Sequence, residues 1–312
     1  MIGDPFLRDF LPLGFGCSRL AGGSCTRESL RLLGTAFDAG IRYIDTARMY
    51  AGGEAEEVLG KFLPAHRDDL IVTSKAGILP PPAGRARRWV RRAKKLRGLV
   101  FGTPMPRLRD YRFGVFDTPS LRQSVETSLR KLRTDWLDAL LLHEVDQPHL
   151  ADGTVMAMLE DLRTTGKIRA FGIASTREQT RRLVSDYEGQ VSIVQTASTV
   201  LEDGLKPLGD RSHFLTITHS VLAEALGKIM QRLLAEAAFR EQWTAQVGVD
   251  PADREAVAGL LLAEALDANE GGIVLFSSAS PARIMAAARI AREKPYSPHQ
   301  IAALRGLVAR RI

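Results

Sequence analysis

Four side chains in this sequence, a carboxylate, a phenol, an amine and an imidazole, could together carry out proton transfer. Asp45 and Tyr50 lie five residues apart, and Lys75 and His143 each close a later apolar run. A tyrosine has an unperturbed pKa of about 10, so it exchanges protons near neutrality only where a cation and a water-poor site assist it. Lys75 is the candidate cation, which would favour the phenolate and so lower the pKa of Tyr50, and Asp45 would keep its amine charged and oriented. His143 could orient and polarise a carbonyl oxygen.

Each residue taken singly also has an ordinary structural explanation. Asp45 and Lys75 could form a structural ion pair. Tyr50 could be an amphipathic rim residue, and His143 could be a hydrogen-bonded core histidine. Which interpretation holds depends on whether the fold brings the four side chains together.

The elements that must position these residues are predicted strands that alternate with predicted helices. The predicted strands are residues 13–17, 41–45, 69–75, 136–143, 168–174, 191–196, 214–218 and 272–277. The predicted helices are residues 26–39, 54–62, 118–132, 155–165, 178–187 and 281–291, with a broken helical pattern between the last two strands. Thr26 and Thr118 are the predicted caps of the first and third helices. Asp45, Lys75 and His143 close the second, third and fourth strands.

Eight strands alternating with helices predict a single α/β domain over residues 1–312, a (β/α)8 barrel of the TIM-barrel type. A doubly wound sheet is the competing fold. It is disfavoured because Gly14 and Gly16 are not followed by a third glycine at the spacing of a dinucleotide-binding turn. In a barrel, the carboxyl ends of the strands meet at one face, where we expect the site.

The positive charge of the chain is concentrated in a long excursion after the third strand, residues 76–118. The net charge is +7, but 11 Lys and Arg residues lie between Arg85 and Arg112. An apolar stripe within it consists of Trp89, Ala93, Leu96 and Val100. We interpret the segment as a lid with a solvated face; gripping an anionic substrate and binding lipid or nucleic acid are the alternatives. Because the charge is local, no nucleic-acid partner is expected.

Nothing in the sequence predicts a membrane span or a metal site. No apolar run reaches the roughly 18 residues that a span needs, and the start of the chain lacks a secretory pattern. Cys17 and Cys25 lack the spacing of a zinc site or a disulfide framework. We therefore expect a cytoplasmic protein, and the sequence specifies no oligomeric state.

Several motifs resemble those of the aldo-keto reductase superfamily, in particular of its bacterial-type members. DTARMYAGGEAEEVLG matches the pattern Asp-Thr-Ala-x-x-Tyr-Gly-x-x-Glu closely, TSK and LLH end successive strands, and GKIRAFGIAS and VSIVQT follow in the expected order. The resemblance covers nearly the whole chain. It implies a catalytic tetrad of Asp45, Tyr50, Lys75 and His143, with Tyr50 as general acid and base.

The resemblance also implies a nicotinamide dinucleotide cofactor. Gln195 matches the residue that holds the carboxamide, and FSSASPARI resembles the segment that holds an adenosine 2′-phosphate. In that segment Ser280 is the predicted cap of a helix that begins at Pro281, so free N–H groups face a potential anion. The residues assigned to the cofactor are Gly16, Cys17, Ser175, Gln195, His219, Ser220, Ser277, Ser278 and Arg283. NADP is favoured, with NAD as the alternative.

Three of these positions depart from the family pattern. Ala174-Ser175 replaces the usual Ser-Asn pair of the family. His219 replaces the aromatic residue that stacks on the nicotinamide, and Ser277 replaces the common lysine. The prediction is an NAD(P)-dependent oxidoreductase that interconverts a carbonyl compound (aldehyde, ketone or aldose) and an alcohol, with a small molecule as its partner. The alternative is a non-catalytic regulatory subunit that binds the cofactor, which an intact tetrad disfavours.

Overall fold

Eight parallel strands close into a barrel in chain order in the computed structural model, which describes residues 10–81 and 110–309. The strands are β1 (Leu13–Gly16), β2 (Tyr43–Asp45), β3 (Ile71–Ala76), β4 (Leu137–His143), β5 (Ile168–Ala174), β6 (Ile193–Ala197), β7 (Leu215–His219) and β8 (Ile273–Phe276). β1 also pairs with β8, so the sheet has no free edge. The predicted barrel is confirmed.

Helices surround the barrel. Within the described ranges they are α1 (Thr26–Asp38), α2 (Ala55–Phe62), α3 (Thr118–Leu132), α4 (Thr154–Thr164), α5 (Arg177–Asp186), α6 (Ala223–Ala235), α7 (Ala237–Gln246), α8 (Arg254–Ala268), α9 (Pro281–Glu293) and α10 (Pro298–Ala309). The broken helical pattern before β8 forms α6, α7 and α8. None of the helices in residues 10–81 and 110–309 has the length and apolar content to cross a membrane.

The strands are largely buried on both faces because both faces are covered. One face packs into the barrel interior, where Tyr43, Leu141, Ile193 and Ile217 belong to one buried cluster. The other face packs against the helices in a second, larger cluster. This arrangement explains why the strand segments were recognisable as short apolar runs, and why a polar residue at the end of a run lies at the end of the barrel.

Two predicted helix caps are wrong. The cap of α3 is Asp117, whose carboxylate accepts a hydrogen bond from the Ser120 N–H at 2.9 Å. Thr118 is instead the first helical residue. α1 likewise begins at Thr26, whose hydroxyl donates to the Gly23 carbonyl at 3.0 Å and caps no N–H. In each case the threonine lies one position inside the helix, where its hydroxyl can no longer reach the free N–H groups.

We did not predict α10, although the sequence carries a signal for it. The Ser297 N–H donates to Gln300 Oε1 at 3.0 Å, and the Gln300 N–H donates to Ser297 Oγ at 3.3 Å. This reciprocal pair is a capping box, and it is legible in the sequence as Ser-Pro-His-Gln.

The excursion after β3 leaves and rejoins the barrel at one place. Leu79 and Arg112 form an antiparallel bridge, with N–H···O distances of 2.9 and 3.1 Å. The basic segment Arg85–Arg97 and the stripe from Trp89 to Val100 lie outside the described residues. Their interpretation as a lid, and the location of the protein in the cytoplasm, stay predictions.

Candidate active site

The carboxyl ends of the strands bring the four predicted residues to one cavity of about 450 Å³. Asp45 ends β2 and His143 ends β4. Lys75 is the last residue but one of β3, which continues to Ala76, so the predicted strand end was one residue short. Tyr50 begins the turn after β2. The structure therefore places all four side chains in the lining of the same cavity.

Lys75 is the centre of this group. Its Nζ lies 2.7 and 2.6 Å from the two carboxylate oxygens of Asp45 and 3.0 Å from the Tyr50 hydroxyl, and it also donates to the Thr46 carbonyl at 3.1 Å. Lys75 and Asp45 are each 1% exposed. Buried charges persist where they are paired and hydrogen-bonded, and this pair is both.

The pKa values of Lys75 and Tyr50 follow from burial and from this contact. Burial favours the neutral amine, but Asp45 and Tyr50 outweigh it, so the pKa of Lys75 is raised. Burial also raises the pKa of Tyr50, and the opposing effect of Lys75 is smaller. The sequence predicted that Lys75 lowers the pKa of Tyr50. The contact with Lys75 acts in that direction, but burial has the larger effect, so the pKa of Tyr50 is raised overall. The phenol therefore stays protonated near neutrality and can donate a proton.

The turn that carries Tyr50 has a left-handed backbone. Ala51, Gly52 and Gly53 have φ values of 51°, 68° and 87°. Glycine adopts this conformation without a steric penalty, whereas alanine does not. Ala51 occupies the position at which the family pattern has glycine, so the turn contains one strained residue next to Tyr50.

We expect Ala51→Gly to raise the free energy of unfolding by about 0.5–1 kcal/mol, since the relief of left-handed strain exceeds the entropy that glycine adds to the unfolded chain. Chemical denaturation measures this change. Ala302→Gly, at an exposed position within α10, is the control and should lose about 1 kcal/mol. A loss of stability in Ala51→Gly would contradict the strain.

The His143 imidazole is neutral at physiological pH. Its ring meets the Tyr50 ring edge to face, with centroids 6.1 Å apart. Burial, Lys75 and His219 lower its pKa to about 3. A neutral imidazole has one N–H donor and one acceptor nitrogen. His143 can therefore donate a hydrogen bond to a substrate oxygen without carrying a charge.

Gln195 and Ser175 present polar atoms at the cavity. Gln195 donates from Nε2 to Asp45 Oδ1 at 3.1 Å, and its buried Oε1 has no hydrogen-bond partner among the residues that the structure describes. The Ser175 hydroxyl donates to the Val145 carbonyl at 2.8 Å, which leaves its oxygen as an acceptor. Both residues can therefore accept hydrogen bonds from an amide group in the cavity.

His219 and Ser220 lie at the end of β7, and both line the cavity. Their side chains contact each other, with His219 Nδ1 2.9 Å from Ser220 Oγ. Burial and Lys75 lower the pKa of His219 to about 4. The ring is therefore neutral and planar, as stacking against an aromatic ligand requires.

Gly16 and Ser277 bring the ends of β1 and β8 together. The Ser277 hydroxyl donates to the Gly16 carbonyl at 2.8 Å. A Cβ at Gly16 would lie 2.4 Å from Ser277 Oγ, a distance that no side chain allows. The small side chains keep this edge of the cavity open.

Three residues assigned to the cofactor are absent from the described cavity lining. Cys17 is buried in the core between the barrel and the helices. Ser278 accepts a hydrogen bond from the Ser280 N–H at 3.1 Å, and the Arg283 side chain is 66% exposed near Glu255. Ser280 is the N-cap of α9 and Pro281 is its first residue, as predicted, and the Ser280 side chain makes no cap hydrogen bond.

The cavity also has lining residues that sequence reasoning did not identify. Among them are Ser18, Arg19, Glu144, Leu222 and Phe276. Glu144 directly follows His143, has a φ of 56°, and has a pKa raised by burial. The sequence places these residues next to strand ends, and therefore near the cavity. It does not indicate whether their side chains point into the cavity.

Comparisons with known proteins agree over most of the chain. A family model described as "Aldo/keto reductase family" matches residues 12–309. The chain is 31% identical over 182 residues to 6-dehydroglucose reductase of Novosphingobium aromaticivorans, which covers 54% of this chain and 49% of the relative. It is 32% identical over 183 residues to D-threo-aldose 1-dehydrogenase of a Pseudomonas species, covering 56% of this chain and 52% of the relative. The chain thus spans about half the length of these curated relatives.

Solved structures share the fold. The holo form of an aldo-keto reductase from Bacillus halodurans aligns with a TM-score of 0.70 at 21% identity and covers 95% of this chain and 91% of that one. An aldo-keto reductase from Klebsiella pneumoniae in complex with NADPH aligns with a TM-score of 0.66 at 24% identity, covering 95% and 90%.

Proposed function

The chain belongs to the aldo/keto reductase family, and from this premise we propose that it is an NADP-dependent oxidoreductase that interconverts a carbonyl compound and an alcohol. The observation that carries the proposal is the contact of 3.0 Å between Lys75 Nζ and the Tyr50 hydroxyl, made in the cavity lining with Asp45 on the other side of the amine. A structural ion pair alone needs no phenol beside it. The alternative of a non-catalytic subunit does not account for that third group.

In the proposed reaction, Tyr50 supplies the proton. The bound cofactor would provide the hydride, and the residues of this chain manage the substrate oxygen. In the reductive direction, neutral Tyr50 donates its proton to the oxygen as the carbonyl is reduced, and the neighbouring Lys75 ammonium stabilises the phenolate that remains. His143 orients the oxygen through a hydrogen bond. In the oxidative direction, Tyr50 takes the proton back.

The residues at the cavity fit a nicotinamide dinucleotide. The Oε1 of Gln195, which has no hydrogen-bond partner within residues 10–81 and 110–309, and the acceptor oxygen of Ser175 would hold the two N–H donors of the carboxamide, and His219 would stack on the ring. Gly16 and Ser277 leave room at the cavity edge for the rest of the cofactor. Ser278 and Arg283, near the start of α9, would hold the adenosine 2′-phosphate.

For the substrate, we propose aldehydes and aldoses. Two relatives of this chain are named as enzymes of sugar carbonyl chemistry, a 6-dehydroglucose reductase and a D-threo-aldose 1-dehydrogenase. The test is a spectrophotometric assay of NADPH oxidation with a panel of simple aldehydes and aldoses, and of NADP reduction with the matching alcohols. NADPH binding without turnover across both panels would favour the non-catalytic subunit.

The proposed phosphate site predicts a preference for NADPH over NADH. We expect Arg283→Ala to weaken NADPH binding about 10-fold, because a charge-assisted hydrogen bond contributes about 1.5–3 kcal/mol. NADH binding should be unchanged. Fluorescence titration measures both affinities. The control is Arg289→Ala, at an exposed position on the same helix. Equal affinities for the two nucleotides in the unmodified protein would contradict the site.

A further inference from the structure

We infer that Glu56 is a positioning residue that fixes the Tyr50 turn against strand β3, an inference that rests on the proposed role of Tyr50 as the acid. Glu56 lies in α2 and is 0% exposed. Its two carboxylate oxygens accept hydrogen bonds from two different elements. Arg48 Nη1 donates to Oε2 at 3.0 Å, and Ser74 Oγ donates to Oε1 at 2.8 Å.

These bonds form a closed circuit around the catalytic pair. Arg48 lies two residues before Tyr50, and Ser74 immediately precedes Lys75. The Arg48 main-chain N–H donates to the Lys75 carbonyl at 3.3 Å, and the Arg48 guanidinium donates to Glu56. Glu56 in turn accepts a hydrogen bond from Ser74, which is the neighbour of Lys75 in β3. The circuit thus joins the main chain of one catalytic residue to the turn that carries the other.

The circuit lies behind the strand rather than in the cavity. Successive side chains of a strand point to opposite faces. Lys75 points to the cavity, so Ser74 points outward to α2. Glu56 and Ser74 are not among the described residues that line the cavity. Glu56 therefore acts through its neighbours and does not touch a ligand.

The charge of Glu56 is necessary to this arrangement. Arg48 is only 9% exposed, and a buried guanidinium requires a counter-charge. With that counter-charge, Arg48 is held in one position although the following turn contains the strained Ala51. Without it, the guanidinium would move toward water and take the main chain before Tyr50 with it. The Tyr50 hydroxyl would then lie farther from Lys75 Nζ.

Glu56→Gln tests this role because it removes the charge and keeps the shape. We expect kcat to fall by about 10-fold to 100-fold, with the KM for NADPH nearly unchanged. Lys75 lowers the pKa of Tyr50 through their contact. A weaker contact raises that pKa, so the rising limb of kcat against pH for alcohol oxidation should move to higher pH. A role limited to stability would not move this limb.

Glu264→Gln is the matched control. Glu264 is also a buried carboxylate, 5% exposed, and it pairs with Arg305 at 2.9 Å, outside the described lining of the catalytic cavity. This variant should lose stability in thermal unfolding and keep the unmodified pH limb. If Glu56→Gln behaves like Glu264→Gln, the inference is overturned.

Ser74→Ala covers the case in which Glu56→Gln does not fold. It removes one bond of the circuit and retains the ion pair, so a smaller shift of the same limb is expected, and an unshifted limb overturns the inference. The outcomes also separate this inference from the proposed function. An active enzyme that Tyr50→Phe inactivates, with an unshifted limb in these variants, would overturn only the role of Glu56.

Discussion

Tyr50→Phe should lower kcat by about 10²-fold to 10⁴-fold, the usual contribution of a positioned acid or base. The change removes the hydroxyl that lies 3.0 Å from Lys75 Nζ and leaves the ring, which packs edge to face against His143. NADPH binding should therefore be nearly unchanged. Steady-state assays in both directions, with NADPH affinity from fluorescence titration, measure the two effects separately.

The control for this variant is Tyr296→Phe. Tyr296 donates from its hydroxyl to the Ala256 carbonyl at 3.0 Å, between α8 and the loop before α10, so the variant loses one phenolic hydrogen bond outside the described cavity lining. Its kcat should equal that of the unmodified enzyme. If Tyr50→Phe retains more than about a tenth of the activity, Tyr50 is not the acid.

Lys75→Met should abolish turnover and destabilise the fold. It leaves the Asp45 carboxylate buried, with its partner ammonium gone, and breaking a buried ion pair from one side costs about 3–5 kcal/mol. It also removes the cation that stabilises the Tyr50 phenolate, so we expect kcat to fall at least about 10²-fold. Chemical denaturation and steady-state kinetics measure the two losses.

The double variant Asp45→Asn with Lys75→Met separates these losses. Because the double variant leaves no unpaired buried carboxylate, it should recover part of the stability that Lys75→Met loses. It should stay inactive, because the ammonium is still missing. Turnover that returns together with stability would mean that Lys75 has only a structural role.

Much of the fold was predictable because it follows from short segments. β5 has the predicted bounds, Ile168–Ala174, since a run of apolar residues between a glycine-closed helix and a Ser-Thr cap defines both of its ends. The missed α10 carried a capping box between Ser297, which precedes it, and Gln300. The wrong caps at Thr26 and Thr118 are errors of one position, which backbone preference alone does not resolve.

The meeting of the four candidate catalytic side chains in one cavity was predictable from the sequence, whereas the full cavity lining and the pKa shifts were not. A polar residue that ends an apolar strand must lie at the end of a barrel, so Asp45 and His143 follow from sequence. The location of the Arg283 side chain could not be predicted in the same way. A position at the start of a helix does not determine whether the side chain faces a cavity or water. Glu56 gave no signal of its role, because its partners come from other elements.

The sequence by itself determined the order of strands and helices and the polar groups at the strand ends, because these depend on residues next to one another in the chain. Only the tertiary structure decided the direction in which the pKa of Tyr50 is shifted. Its Lys75 contact joins residues 25 positions apart, and the bond from Gln195 to Asp45 joins residues 150 apart. Burial and charge act through space, so the net rise in the Tyr50 pKa could be known only once the barrel had closed around it.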